Sequence, residues 1–214
     1  MGGSKNQNMA IQPNMNNSRI FPKEKKGTVI GIFSGSFNPI HIGHLALANY
    51  LCEYENLDEI WFVVSPHNPL KESDTLQDAA TRYDWVKRSI GSYPHFRASD
   101  IEFSLPKPSY SIQTLETLRK QFPENTFVLI IGADNWNCFD QWRDYKTILA
   151  EFPILIYPRK GFEVNISAEL SSTVKLTDAP LLEISSSFIR EAVAQGKDIR
   201  FFLPDEIRDE WFLK

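Results

Sequence analysis

Cysteine is scarce in this sequence: Cys52 and Cys138 stand 86 positions apart, with no CxxC pair and no Cys/His cluster around either. That excludes a disulfide framework and a thiolate metal site, and it fits two free thiols in a reducing cytoplasm. Long apolar runs are also missing. No stretch approaches the ~20 residues that cross a bilayer, so no membrane partner is expected. Nor is there a general excess of positive charge. The net charge is −4; residues 1–27 carry Lys5, Arg19, Lys23, Lys25 and Lys26 against Glu24, a sum of +4 that leaves −8 for residues 28–214. So acidic a body argues against a general nucleic-acid binder, which needs a basic face to displace counterions. A small anionic ligand, held by a few local cations and backbone N–H groups, is still compatible. HExxH, internal repeats and Gly/Ser linkers are absent from residues 28–214.

What remains is an ordinary globular composition, 42% hydrophobic and 23% charged over 214 residues. That length suits one generous domain over residues 28–214. Residues 1–27 have no apolar segment of signal-peptide type and are rich in Asn, Gln, Gly and Lys, as a disordered or added leader would be. Strand-like runs are expected at Thr28–Phe33, Glu59–Ser65, Phe96–Phe103, Thr126–Ile131, Pro153–Tyr157 and Thr173–Leu176. Helical spacing fits His44–Tyr54, Asp78–Ile90, Ser111–Gln121, Tyr145–Ala150, Ser186–Gln195 and Pro204–Trp211. Strands alternating with helices predict an α/β fold: a doubly wound, Rossmann-like parallel sheet with helices on both faces. Ligands in such sheets bind at the carboxyl ends of the strands, which places Ser34–His44, Ser65–Lys71 and Gly132–Trp136 on one rim. The polar, proline-bearing stretch 65–78 would form a loop over that rim, with Lys71 as its reachable cation.

The stretch Gly31–Ala48, GIFSGSFNPIHIGHLALA, concentrates the chemistry. An apolar run ends in a turn containing Gly35, and a helix follows. Gly35 lets backbone approach phosphate oxygens, and the helix start offers unpaired N–H groups and a positive dipole end. His41 and His44, at i and i+3 across the helix start, can face one pocket and donate hydrogen bonds to charge developing on a phosphoryl group. Two other readings stand beside this one. HxxH could be a metal pair, although no third ligand lies at suggestive spacing, or His44 could simply pack beside Leu47 and Leu51. Farther on, Ser185 is a good N-cap. The N–H groups of Ser186 and Ser187 open a helix, and Arg190 lies one turn along on a face that can share an anion with them.

GSFNPIHIGH resembles the (G/S)xFxPxHxGH motif of the HxGH nucleotidylyltransferases, and Ile184–Arg190, ISSSFIR, resembles the ISSTxIR segment of the same superfamily. Lys107–Leu115, KPSYSIQTL, is similar to the PSYTxxTL segment of bacterial nicotinate-nucleotide adenylyltransferases. Ile131–Asp134, followed by Gln141–Tyr145, is similar to their IG(A/Q)D and (K/T)WY segments. The four motifs occur in order across residues 28–214.

The resemblance implies adenylyl transfer from ATP to nicotinate mononucleotide, assisted by Mg²⁺ held mainly by the substrate, with no covalent enzyme intermediate. It assigns His41, His44 and Arg190 to catalysis, and Gly35, Ser36, Phe37, His41, His44, Lys71, Ser186, Ser187 and Arg190 to ATP. Ser109, Tyr110, Ser111, Asp134 and Trp142 fall to the nicotinate nucleotide, with Trp142 covering the cationic ring. Departures are Asn38 where Asp is common, Leu70 in place of a loop histidine, Ser111 in place of Thr, and Arg143 where Tyr is frequent and the backbone usually serves. Related activities on nicotinamide mononucleotide or phosphopantetheine, and an inert nucleotide-binding regulator, remain the alternatives. The aromatics at Phe201–Phe202 and Trp211–Phe212 could pack internally or form a homo-oligomer contact.

Overall fold

A computed structural model describes residues 27–66 and 76–212. The chain runs β1 (Val29–Gly35), α1 (Ile42–Tyr54), β2 (Glu59–Val64), α2 (Ala79–Ile90), β3 (Phe96–Ser99), α3 (Ser111–Gln121), β4 (Thr126–Gly132), α4 (Ala133–Trp136), α5 (Tyr145–Glu151), β5 (Ile154–Tyr157), β6 (Val174–Leu176), α6 (Ser186–Ala194) and α7 (Asp205–Phe212). Short 3₁₀ turns lie at Ile101–Ser104, Phe139–Gln141, Ala168–Leu170 and Arg200–Phe202. The six strands form one parallel sheet in the order β3-β2-β1-β4-β5-β6.

The alternation of side chains along the strands builds two cores. Phe33, Ile60, Phe62, Val64, Val128, Ile130 and Leu155 point to one face, under α1, α2, α6 and α7. Ile30, Ile32, Trp61, Val63, Phe127, Leu129, Ile131, Ile154 and Ile156 point to the other, under α3 and α5. Strands buried on both faces read as near-continuous apolar runs, which is what Thr126–Ile131 is. The predicted fold class is therefore the observed one.

Chain order reverses between β1 and β4: β2 and β3 lie on one side of β1, and β4, β5 and β6 on the other. The splayed carboxyl ends at such a reversal leave a crevice. Here Gly35 and Gly132 mark its two lips.

Two elements differ from expectation. The strand expected over Phe96–Phe103 stops at Ser99: the Phe103 N–H donates to the Asp100 carbonyl at 2.8 Å and the chain coils into a 3₁₀ turn. The apolar positions change phase there, from Phe96 and Ala98 to Ile101 and Phe103, and in this edge strand nothing beyond Ser99 is paired. Helix α4 was not expected, because four residues are too few to show periodicity. Of the terminal aromatics, Phe202 packs edge-on to Phe188 at 5.3 Å and Trp211 against Trp85 at 5.4 Å, while Phe201 stays exposed. Cys52 and Cys138 are free, and burial pushes the Cys52 thiol up to about 12. Among the described residues, no helix is long and apolar enough to cross a membrane.

Candidate active site

The crevice at the strand reversal opens into a cavity of about 860 Å³, lined from both lips and from the start of α6. Its β1 lip is tightly built. Phe37 has a left-handed backbone (φ 46°), uncommon for a bulky residue and costing on the order of 1–3 kcal/mol. Burial of its ring offsets that cost. The ring is 2% exposed and meets Phe33 at 5.9 Å and His44 at 5.1 Å, both edge-on. It also lies under Gly35, where an added Cβ would approach the ring to 3.0 Å, tighter than an ordinary contact, so a side chain there would press on the ring.

Helix α1 begins after His41. The His41 and His44 rings stack with centroids 3.6 Å apart and planes 25° apart. Gly43 permits this, because a Cβ there would lie 3.1 Å from His41 Nδ1 and 3.3 Å from Ile184 Cβ. The two histidines differ in character. His41 is 3% exposed, and burial, with the Arg159 charge added, holds its pKa down at about 3, so it stays neutral at physiological pH. The His41 backbone N–H donates to His44 Nδ1 at 3.2 Å. That makes Nδ1 an acceptor, so in the neutral His44 ring the proton sits on Nε2, where it can be donated.

The carboxyl-terminal motif is bonded directly to this turn. Ser185 caps α6 by accepting from the Phe188 N–H at 3.1 Å, as its sequence position suggests. Ser186 Oγ donates to the Pro39 carbonyl at 2.8 Å. Arg190 donates to the Asn38 carbonyl at 2.7 Å and to Ser187 Oγ at 3.2 Å. All four residues line the cavity. Sequence alone places Arg190 as a ligand for phosphate; in the structure it also ties α6 to the histidine-bearing turn. Lys71, with His67 and Leu70, lies outside the described residues.

The opposite lip carries the residues assigned to the acceptor. Ser109, Tyr110, Ser111, Asp134 and Trp142 all line the same cavity. Trp142 sits 5.1 Å from Phe139, which stacks in turn on Trp136 at 5.5 Å, so the indole forms the end of an aromatic shelf. Ser109 Oγ donates to Glu102 Oε2 at 2.9 Å and Thr114 Oγ1 to Glu102 Oε1 at 3.0 Å, which fixes the segment leading into α3. Arg143 lies with its guanidinium carbon 4.9 Å from the Tyr110 ring centroid, joining the Trp142 segment to the Ser109–Ser111 segment.

Three contributors were not found from sequence. Arg159 lines the cavity, pairs with Asp134 at 3.6 Å and donates to the Tyr157 hydroxyl at 3.2 Å. Its position just past β5, on the same rim as Asp134, was the available signal. Glu102 is buried beneath Ser109 and looks like an ordinary surface glutamate in sequence. Arg82 is the third. It is 0% exposed and donates to four backbone carbonyls: Ser36, Ser65 (2.9 Å), Pro66 (3.1 Å) and, through Nε, Gln77 (2.8 Å). Burial lowers its pKa and Asp78 opposes that shift, but a guanidinium remains charged. It clamps the carboxyl ends of β1 and β2 to the start of α2.

Comparison with known proteins agrees with the motifs. Residues 32–192 match the model of the cytidylyltransferase-like family. A protein of Bacteroides fragilis described as "Probable nicotinate-nucleotide adenylyltransferase" is 58% identical over 176 residues, covering 82% of this chain and 87% of its own. One of the same description from Bacteroides thetaiotaomicron is 56% identical over 177 residues, covering 83% and 87%. Among solved structures, the Plasmodium falciparum nicotinic acid mononucleotide adenylyltransferase complexed with NaAD superposes with a TM-score of 0.71 at 20% identity, over 87% of this chain and 95% of that one, a likeness of fold. On these grounds the chain belongs to the cytidylyltransferase-like family and, within it, to the bacterial nicotinate-nucleotide adenylyltransferases.

Proposed function

We propose that this protein transfers the adenylyl group of ATP to nicotinate mononucleotide, forming nicotinate adenine dinucleotide and pyrophosphate as a step toward NAD. The observation that carries this reading is one continuous cavity with a stacked histidine pair at the start of α1 on one lip and an aromatic shelf ending in Trp142 on the other.

An oxygen of the mononucleotide's 5′-phosphate bonds to the α-phosphorus of ATP. The bond from that phosphorus to the bridging oxygen breaks, and pyrophosphate leaves with the electron pair. The enzyme positions both phosphates and stabilises the charge between them, without forming a covalent bond of its own. His44 donates from Nε2 to the α-phosphate. His41, neutral, serves as a dipole that excludes water and braces the His44 ring. Gly35, Ser36 and Phe37 lie along the adenylate. Ser186, Ser187 and Arg190 hold the remaining phosphates, the resemblance adds Lys71 as a phosphate ligand, and Arg159 adds a further cation to the rim. On the acceptor side Trp142 covers the pyridinium face, an attraction worth about 0.5–2 kcal/mol. Ser109, Tyr110 and Ser111 line the ring, and Asp134 takes ribose hydroxyls.

A divalent metal accompanies ATP in such transfers, and Mg²⁺ is the ion proposed here. Among the described residues no three His, Cys, Asp or Glu side chains converge on one point. Asp134 Oδ1, a buried carboxylate oxygen at the rim, already faces the Arg159 guanidinium at 3.6 Å and offers no open metal position. The donors at the β1 lip are otherwise imidazole, guanidinium and N–H groups, which suit phosphate. These residues fit a metal carried in by the nucleotide, which when bound would supply charge neutralisation to the pyrophosphate leaving group.

The test is pyrophosphate release with ATP and, separately, nicotinate mononucleotide, nicotinamide mononucleotide and phosphopantetheine. Release is expected with the nicotinate compound. ATP binding without release in any arm would favour an inert regulator, and release with phosphopantetheine alone would overturn the acceptor assignment.

A further inference from the structure

Arginine is almost never fully buried unless a carboxylate pairs with it, because a charge taken out of water is costly. Arg82 breaks that pattern. It is 0% exposed, and among the described residues no carboxylate forms an ion pair with its guanidinium. Asp78, whose charge reaches it, commits its carboxylate to the N–H groups of Ala80 and Thr81. The guanidinium bonds instead to four backbone carbonyls.

One of those carbonyls belongs to the β1 lip of the cavity. Ser36 follows β1 directly, its carbonyl accepts from Arg82 Nη1, and both Ser36 and Phe37 line the cavity. The Ser36–Phe37 peptide is trans, so its N–H points opposite to the bonded carbonyl. That N–H, on Phe37, donates to none of the described residues. The Gln77 N–H returns a bond to Asn38 Oδ1 at 3.2 Å, so the turn and the approach to α2 hold each other from both sides. A buried positive charge and an open backbone donor thus sit at the two ends of one peptide unit, and an anion in the cavity would satisfy both.

We infer that Arg82 is a positioning residue for adenylyl transfer: its guanidinium sets the Ser36–Phe37 peptide so that the Phe37 N–H meets the nucleotide phosphates, whose charge balances its own. This rests on the placement of ATP at the β1 lip proposed above. Arg82 touches no substrate and acts only through that peptide. A lysine in its place keeps the charge but offers a point donor where the fork holds several carbonyls at fixed angles.

The experiment measures pyrophosphate release and the dissociation constants for ATP and nicotinate mononucleotide on the wild-type protein, Arg82→Lys, Arg82→Met and Val86→Ala, at a temperature where each is folded. Val86, fully buried on the same helix, is the control for stability alone. Misplacing a group that orients substrate costs up to about 10²-fold, so kcat/KM for ATP is expected to fall by about that factor in Arg82→Met and about tenfold in Arg82→Lys. The dissociation constant for nicotinate mononucleotide stays unchanged. Val86→Ala lowers the urea midpoint and keeps the wild-type kcat/KM. If Arg82→Met does not fold, Arg82→Lys decides. A wild-type kcat/KM for ATP in Arg82→Lys, or a loss shared by Val86→Ala or by nicotinate mononucleotide binding, overturns the inference and leaves the reaction standing. Absence of turnover in a wild type that binds ATP overturns the reaction instead, and the ATP dissociation constants still decide Arg82. Failure of the wild type to bind ATP overturns both.

Discussion

The two lips of the cavity are built on different principles. The β1 lip is bonded from every side. Arg82 grips the Ser36 and Ser65 carbonyls from beneath, Ser186 and Arg190 take the Pro39 and Asn38 carbonyls from across the cavity, and the Phe37 ring lies buried beneath Gly35. The acceptor lip is held by faces. Trp142 leans on Phe139, Arg143 lies over Tyr110, and Glu102 below Ser109 is the main polar anchor. Hydrogen bonds to fixed carbonyls are directional and fail when one partner changes. Stacked rings tolerate substitution at the cost of part of a contact. The difference teaches where change is tolerated: the lip proposed for phosphate is fixed by a network, while the lip proposed for the acceptor rests on surfaces that can be altered one side chain at a time.

Three substitutions break or sharpen that contrast. The largest effect is expected from His44→Ala, which removes the donor proposed for the transferred phosphoryl group. Loss of one such donor costs about 10²–10³ in kcat, to be read from steady-state pyrophosphate release, with ATP binding by calorimetry largely retained. Near-normal turnover would take His44 out of the chemistry.

Next comes Arg82→Met, which leaves four backbone carbonyls without their donor and is expected to cost about 3 kcal/mol of stability in a urea titration. An unchanged midpoint would mean that the β1 lip does not depend on the clamp. The smallest effect is expected from Trp142→Ala on the stacked lip: the KM for nicotinate mononucleotide rises about tenfold, for the loss of a cation–π contact of about 1–2 kcal/mol, and the KM for ATP holds. Equal increases in both constants would show that the two lips are not independent.

Legibility in the sequence followed the same division. The doubly wound sheet was readable because β1, β2, β4 and β5 are buried on both faces and so appear as unbroken apolar runs between helical segments. His41, His44 and the Ser185 cap were readable because turn and cap chemistry is local. Arg82 was not, since within AATRYDWVKRSI it looks like any solvated helix arginine, and its four carbonyl partners come from three separate segments. Arg143 was expected to matter through its backbone alone; that its side chain reaches Tyr110, 33 positions earlier, depends on how two loops meet over α3. Strand β3 was overextended because Phe96–Phe103 is rich in apolar residues, although their alternation changes phase between Ala98 and Ile101, where the chain leaves the sheet.

The bonds from Ser186 to Pro39 and from Arg190 to Asn38 join residues 147 and 152 positions apart. Neither can form until a ribosome has passed residue 190, when the β1 turn has long been synthesised. A chain interrupted before α6 would contain both histidines and all six strands, yet its phosphate turn would lack the tether that closes it. Closing so long a loop is entropically costly and follows the assembly of the sheet that brings its ends together. Such an interrupted chain would also lack Ile189, Leu203 and Ile207, which cover one face of the sheet, so the last helices complete the core and the phosphate turn together.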